Sequence, residues 1–342
     1  MPNFRVKASE AGQRADRYLA SRYPKFSRSS LKNLFSQAKV KLGSVALKPG
    51  RRLHSGDSLS VDDKLLNRHP KPPSLETIYE DEEVVVIDKP AGLLSHSKGA
   101  LNLEPTVAAW LKNHMMTQRS HADVGQGDNE QRTKPYKAYG EGAAELSTQP
   151  RAASGGRVAG SAGKQADAMW TLSNRAGIVH RLDRATSGVM VLAKNQAALE
   201  FLQQQFASRR AEKTYLAIVE GELDPAAALI DAPIGRNPAR PKTFKVTASG
   251  KPAQTKYQTS KTFTRNGQIF SLVELLPLTG RTHQLRVHLK YIGHPILGDR
   301  IYGQAGDKLY LHAQQLKLKL PSGQSRTFKA PLPAYFKEFM RS

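Results

Sequence analysis

The sequence predicts an α+β chain: a small N-terminal α+β module, then a larger domain on a mixed, mainly antiparallel β-sheet with flanking helices. Three observations lead there. Residues 1–63 interleave two short helical periods with two short strand-like runs. Beyond residue 75, apolar runs of strand length outnumber helical ones and do not alternate with them as a βαβ repeat would. No internal repeat of fixed length recurs along the 342 residues.

Residues 1–63 make up the N-terminal module. Leu19, Leu31, Leu34 and Phe35 mark the inner faces of two short helices. Ser27-Arg28-Ser29-Ser30 supplies an N-cap for the second, and Arg28 and Lys32 place positive charge at its exposed start. Val40-Lys41-Leu42-Gly43 and Leu59-Ser60-Val61 read as strands, with Gly56-Asp57 as a turn. The pattern resembles the "S-four" type of RNA-binding domain first defined in a ribosomal small-subunit protein. Gly43-Ser44 stands where many members carry Asn-Gly. An ordinary basic α+β module is the competing reading.

Residues 64–74, with Pro70, Pro72 and Pro73 among basic residues, read as a semi-rigid linker. A second domain is expected over 75–342. It opens with Glu80-Asp81-Glu82-Glu83 and the run Val84-Val85-Val86-Ile87, whose unbroken β-branched character implies burial on both faces. Lys89-Pro90-Ala91-Gly92 stops that strand, and residues 106–112 are expected as a short helix. Over 117–175 the hydrophobic period is lost and Gly, Ala, Ser, Gln and Arg dominate, so this segment reads as a disordered insertion. Further strands are expected at 189–193, 215–219 and 270–276. Helices are expected at 196–208 and at 282–292, the second closed by Gly293.

Charge bounds the partner. Lys and Arg number 52 against 29 Asp and Glu, a formal charge of +23. Such a surplus favours a polyanion, because each cation near a phosphate releases condensed counterions. A membrane surface ranks below nucleic acid, since no basic amphipathic helix with an aromatic face is present. Cysteine is absent, which excludes disulfides, thiolate metal sites and a Cys nucleophile. Met1-Pro2-Asn3-Phe4-Arg5 has no apolar signal core, so a cytoplasmic location is expected. There is no phosphate-binding GxxxxGK[ST] loop, GxGxxG fingerprint, HExxH or GxSxG elbow. The chemistry is therefore expected to need no cofactor.

The reactive candidate is the segment His180-Arg181-Leu182-Asp183-Arg184-Ala185-Thr186-Ser187-Gly188, between two apolar runs. A carboxylate flanked by arginines at a strand-to-loop edge is held ionised and suits a nucleophile or base. On chemistry alone, a turn-capping Asp paired with Arg is the favoured alternative. His180, His283, His288, His294 and His312 look like a ligand set. Their spacing and turn positions favour structural hydrogen bonding, and no metal site is expected. Arg236, Arg240, Lys242 and Lys245 form either an RNA-tracking loop or a solvated face.

The segment resembles the HRLDxxTSG motif of the RluA family of pseudouridine synthases. The resemblance extends in order through Lys89-Pro90-Ala91-Gly92-Leu93, Lys213-Thr214-Tyr215, Thr279-Gly280-Arg281-Thr282-His283-Gln284-Leu285-Arg286, Gly293 to Asp299, Leu311-His312-Ala313 and Ala330-Pro331-Leu332-Pro333. It covers 75–116 and 176–340 and implies a pseudouridine synthase fold. It implies isomerisation of uridine to pseudouridine in RNA without a cofactor. In the roles it implies, Asp183 is the nucleophile, Tyr215 stacks on the uracil, and Arg281 pairs with Asp183. Arg181 helps hold the extruded nucleotide, and Arg184 and Arg286 join Arg28 and Lys32 as RNA contacts. Large-subunit ribosomal RNA is the expected substrate, with transfer RNA as the alternative, and a monomer is expected. The rival classes are a non-catalytic RNA-binding or ribosome-assembly protein and a methyltransferase. The second lacks its Gly-rich cofactor loop here.

Overall fold

Four consecutive β-branched residues bury both faces only inside a covered sheet, and Val84 to Ile87 do so, each with no exposed surface. The chain is seen in a computed structural model that describes residues 1–24, 26–66, 71–97, 104–124 and 177–341.

The N-terminal part contains β1 (Asn3–Arg5), α1 (Ala15–Arg22), α2 (Arg28–Ser36), β2 (Val40–Leu42), β3 (Val45–Ala46) and β4 (Ser58–Val61). Its antiparallel sheet runs β1-β4-β2-β3. Leu31, Leu34 and Phe35 follow the i, i+3, i+4 spacing of a helix face and pack with Leu19, Tyr18, Val40, Leu59 and Val61. The Ser27 hydroxyl accepts the Ser30 N–H at 3.2 Å and caps α2 as the sequence predicts. Gly43 takes φ +59°, so Gly-Ser makes the tight β2–β3 turn. β1 and β3 were not anticipated, being three and two residues long.

The remainder forms β5 (Glu76–Glu80), β6 (Val84–Lys89), α3 (Val107–Val124), β7 (Ser187–Ala193), α4 (Gln196–Ala207), β8 (Glu212–Glu220), β9 (Ala227–Asp231), β10 (Ile234–Arg236), β11 (Phe244–Val246), β12 (Gln254–Arg265), β13 (Gln268–Pro277), α5 (Gln284–Tyr291), β14 (Leu311–Lys319), β15 (Ser325–Lys329) and α6 (Ala334–Arg341). One nine-stranded sheet runs β5-β6-β7-β14-β8-β13-β12-β9, with β15 on β14. Its pairs are antiparallel except β7 with β14, so the sheet is mixed and mainly antiparallel as expected. Alternation along β6 supplies both faces. Val84 and Val86 join Leu202 of α4, while Val85 and Ile87 join Trp110 and Leu111 of α3. In the other half, Leu285 and Leu289 of α5 pack on Val219, Val273 and Leu275. β10 and β11 form a separate hairpin.

Two expectations change. The helix predicted over 106–112 runs Val107–Val124, so residues 117–124 are helical rather than part of the insertion. The apolar positions continue past Lys112 to Met115, which is buried with Val107, Trp110 and Leu111. Residues 125–175 of the expected insertion, and 67–70 of the expected linker, lie outside the described residues. The other change is α6, which was not foreseen and seats Phe336 in the core. Among the described residues no helix is long and apolar enough to cross a membrane.

Candidate active site

The loop holding Asp183 is fixed from three sides. From the β6 end, the Lys89 ammonium is fully buried and donates to the carbonyls of Pro90 and Leu93 at 2.9 Å and of Arg184 at 3.4 Å. Gly92 N–H donates to the same Arg184 carbonyl at 2.7 Å. Burial pushes the Lys89 pKa down to about 7, against the attraction of Asp183 and Asp88. From the segment after β6, the Ser95 hydroxyl donates to Leu182 O at 2.8 Å and accepts Leu182 N–H at 3.2 Å. From the sheet, Ser187 and Gly188 pair in parallel with His312 and Ala313. Gly188 sits at φ +119°, and a Cβ there would lie 2.2 Å from the Ala313 carbonyl oxygen. Only glycine meets both conditions. The Thr186-Ser187-Gly188 part of the motif is thus an anchor, and Thr186 N–H closes the turn on Asp183 O at 3.1 Å.

The Asp183 side chain, about a quarter exposed at 24%, faces a cleft of about 510 Å³. Arg181, Arg209, Lys213, Arg281 and Arg286 line it, and among the described residues Asp183 is the one carboxylate that does. Tyr215 lines the same cleft from β8, opposite Ala313 of β14. Burial, and then the Asp183 charge, push the Tyr215 pKa far up, so the phenol keeps its proton.

The arginine against Asp183 is Arg286, not Arg281. Arg286 Nη1 lies 3.4 Å from Asp183 Oδ2. Its Nε and Nη2 form a two-pronged pair with Asp299 at 2.7 Å each. Arg281 instead donates through Nε to Pro252 O at 3.0 Å, at the cleft edge. The reason is local. Arg286 lies in the first turn of α5, which faces Asp183, while Arg281 precedes the turn where His283 adopts φ +57°. Gln284 locks that turn, its side-chain oxygen accepting Thr279 Oγ1–H at 2.7 Å and Arg281 N–H at 3.0 Å.

Arg286, also expected as an RNA contact, is only 5% exposed and lines the cleft beside Asp183 rather than the outer surface. Burial opposes its charge, but the Asp299 hydrogen bonds and charge, followed by Asp183, raise its pKa. Burial likewise opposes the Asp299 charge, and Arg286 overcomes it to lower the Asp299 pKa. Of the other expected RNA contacts, Arg181 is exposed in the cleft and donates to Thr282 Oγ1 at 3.0 Å. Arg184 points away from it to Glu104 at 2.6 Å. Arg28 and Lys32 are exposed one turn apart on α2, with Arg28 also 3.3 Å from Asp16.

The histidines have structural partners. His180 Nε2 accepts Val191 N–H at 3.1 Å and its ring stacks on Phe206. His312 Nδ1 meets Ser187 Oγ at 2.9 Å, His288 bridges Thr255 and Ala232, and His294 meets the Glu220 carbonyl. Sequence reasoning missed Ser95, Asp299 and Tyr302. Only Asp299 had a signal, as the last residue of the segment Gly293 to Asp299, whose role a one-dimensional pattern does not reveal; Ser95 and Tyr302 stand in no motif.

Comparison with known proteins decides what this arrangement belongs to. A family described as RNA pseudouridylate synthase matches residues 163–291. An uncharacterized RNA pseudouridine synthase of Aquifex aeolicus is 34% identical over 304 residues, spanning 88% of this chain and 79% of the relative. The chain belongs to the RNA pseudouridylate synthase family. A Nitrosomonas europaea relative named ribosomal large subunit pseudouridine synthase D is 33% identical, over 94% of this chain and 82% of its own. The solved structure of human RNA pseudouridylate synthase domain containing 4 shares the fold, with a TM-score of 0.51 and 24% identity over 77% of this chain and 90% of that one. As an RNA pseudouridine synthase the chain is an isomerase acting on uridine in RNA, which sets aside the non-catalytic and methyltransferase readings.

Proposed function

We propose that Asp183 is the nucleophile of this isomerase and that its substrate is large-subunit ribosomal RNA. One observation carries the first part: the only carboxylate that lines a cationic cleft among the described residues is paired with Arg286 and shares that cleft with Tyr215. Isomerisation breaks the bond from ribose C1′ to uracil N1, turns the base while bound, and joins C1′ to C5. The C5 proton leaves and N1 gains one, so nothing is consumed. Asp183 acts as a carboxylate whether it attacks the sugar, attacks the base or removes a sugar proton. Tyr215 offers a flat platform for the uracil, and its retained hydroxyl proton makes it a donor.

The uridine must leave its stack to reach the cleft, at a cost of a few kcal/mol. Arg181, Arg209 and Lys213 at the cleft repay this through phosphate contacts. A second groove of about 470 Å³ supports the same path. It carries Arg240, Lys245 and Lys290 with the exposed ring of Tyr291, and among the described residues no acidic one lines it. Arg28 and Lys32 give the N-terminal part, residues 1–63, a basic helix face suited to RNA, and the rest of the enzyme, 75–342, carries catalysis. The ribosomal substrate rests on the names of relatives such as that of Nitrosomonas europaea.

The test replaces Asp183 with Ala in the full chain and maps pseudouridine in ribosomal and transfer RNA. Expected is loss of product at a specific uridine of large-subunit RNA with RNA affinity retained. An unchanged map refutes the assignment of Asp183, and product confined to transfer RNA refutes the substrate.

A further inference from the structure

We propose that His283 is a positioning residue for Asp183, presenting Nε2–H to the carboxylate in a tautomer dictated by the Tyr302 hydroxyl. The proposal rests on Asp183 being the nucleophile.

The geometry is a chain of three contacts. Phe244 N–H, on β11, donates to the Tyr302 oxygen at 3.0 Å. A phenol accepts well along one in-plane direction besides that of its own proton, and Phe244 occupies it. The Tyr302 proton is therefore turned toward His283 Nδ1, 2.8 Å away. A neutral imidazole that accepts at Nδ1 carries its proton on Nε2. That nitrogen lies 3.8 Å from Asp183 Oδ2, within closing distance once substrate fills the cleft. Arg286 Nη1 approaches the same oxygen at 3.4 Å. Two donors converging on Oδ2 leave Oδ1 to meet the nucleotide.

The backbone supports the same reading. His283 is a non-glycine residue at φ +57°, a conformation that carries strain and occurs where side-chain aim matters. Its ring is boxed edge-on by Phe244 at 5.7 Å and Tyr302 at 5.6 Å. Tyr302 serves both partners of Asp183, since the Arg286 guanidinium lies 5.1 Å over its ring. Phe244 belongs to the hairpin that carries Arg236 and Lys245, so a nucleic acid pulling on that hairpin acts on the aim of His283.

The test separates the two nitrogens in the full-length enzyme. His283→Gln keeps a donor near Nε2, His283→Asn keeps one only near Nδ1, and Tyr302→Phe removes the hydroxyl while leaving the ring over Arg286. The readouts are the single-turnover rate of pseudouridine formation on the mapped RNA, the RNA Kd and the melting curve. Tyr302→Phe and His283→Asn are expected to slow the turnover roughly 10–100-fold, as loss of an orienting partner does. His283→Gln is expected to recover most of the rate, and Kd should stay within about twofold throughout. The Tyr302→Phe loss should vanish in the His283→Gln background, because the two residues act as one unit. Equal rates for Gln and Asn, additive losses, or a Kd shift as large as the rate loss overturn the proposal. Should the His283 variants melt early, Tyr302→Phe alone decides it: an unchanged rate refutes it. Activity persisting in Asp183→Ala would instead refute the underlying assignment of the nucleophile.

Discussion

At the residue scale, the proposed nucleophile lies beside a buried guanidinium shared by two carboxylates. Asp299 holds Arg286 through two short hydrogen bonds and itself accepts the N–H groups of Ile301 and Tyr302 at 2.9 and 3.1 Å. That arrangement leaves Nη1 to face Asp183 without rotamer search. Arg286→Gln should therefore lower the single-turnover rate on the order of 10²-fold or more, as removal of a preorganised charge partner does. Arg281→Gln should change it by less than about tenfold and act mainly on RNA affinity. Measuring rate and Kd for both variants checks this, and the opposite ranking would restore Arg281 as the partner. The sequence placed both arginines in the right segment, but its reading chose Arg281 as the partner of Asp183, where the structure has Arg286. They are five residues apart, and the choice turns on the left-handed step at His283 between them, which a residue pattern does not encode. That Asp183 and Tyr215 belong to one site is a reading that their motifs allowed, and both line the same cleft.

At the element scale, the decisive strand is β7. It pairs antiparallel with β6 along its length and parallel with β14 at Ser187 and Gly188 only. The short parallel contact brings two backbones too close for any side chain at residue 188. Gly188→Ala should cost about 3 kcal/mol or more, combining a disfavoured φ with a steric clash, and lower the melting temperature by several degrees. Calorimetry on the full chain checks it, and a melting curve within one degree of wild type would contradict the packing described. The elements with strong periods were legible: β6, β7, α4 and α5 fall close to where apolar spacing places them. The short strands β1, β3, β10 and β11 were not, because two or three residues carry no period. β12 escaped for a different reason: it is half-exposed, and its inward positions include the polar Thr255 and Thr259, so only Tyr257 and Phe263 mark its apolar face.

At the scale of the whole molecule, acid stability follows from histidines buried in neutral form. Burial lowers the pKa of His312 to about 4, and that of His180 to about 3, helped by the Lys213 charge. In the unfolded chain each titrates near 6.5. Between these values the unfolded state binds more protons, so stability is full above about pH 6.5 and falls as pH drops toward the folded values. The slope is about 1.4 kcal/mol per pH unit for each histidine. Denaturant titrations from pH 7 to 4.5 should show this fall, with a shallower slope in His312→Gln, and equal slopes would remove His312 from the account. The α+β class and the mixed sheet were legible from the distribution of apolar runs. Which strand closes the site was not, since β14 meets Asp183's loop across more than a hundred residues: the Ser187–His312 hydrogen bond spans 125 positions. That separation has a consequence for synthesis. A chain elongates at roughly 5–20 residues per second, so on the order of ten seconds pass between the birth of Asp183 and that of His312. Throughout that interval the loop of Asp183 lacks the strand on which it is seated.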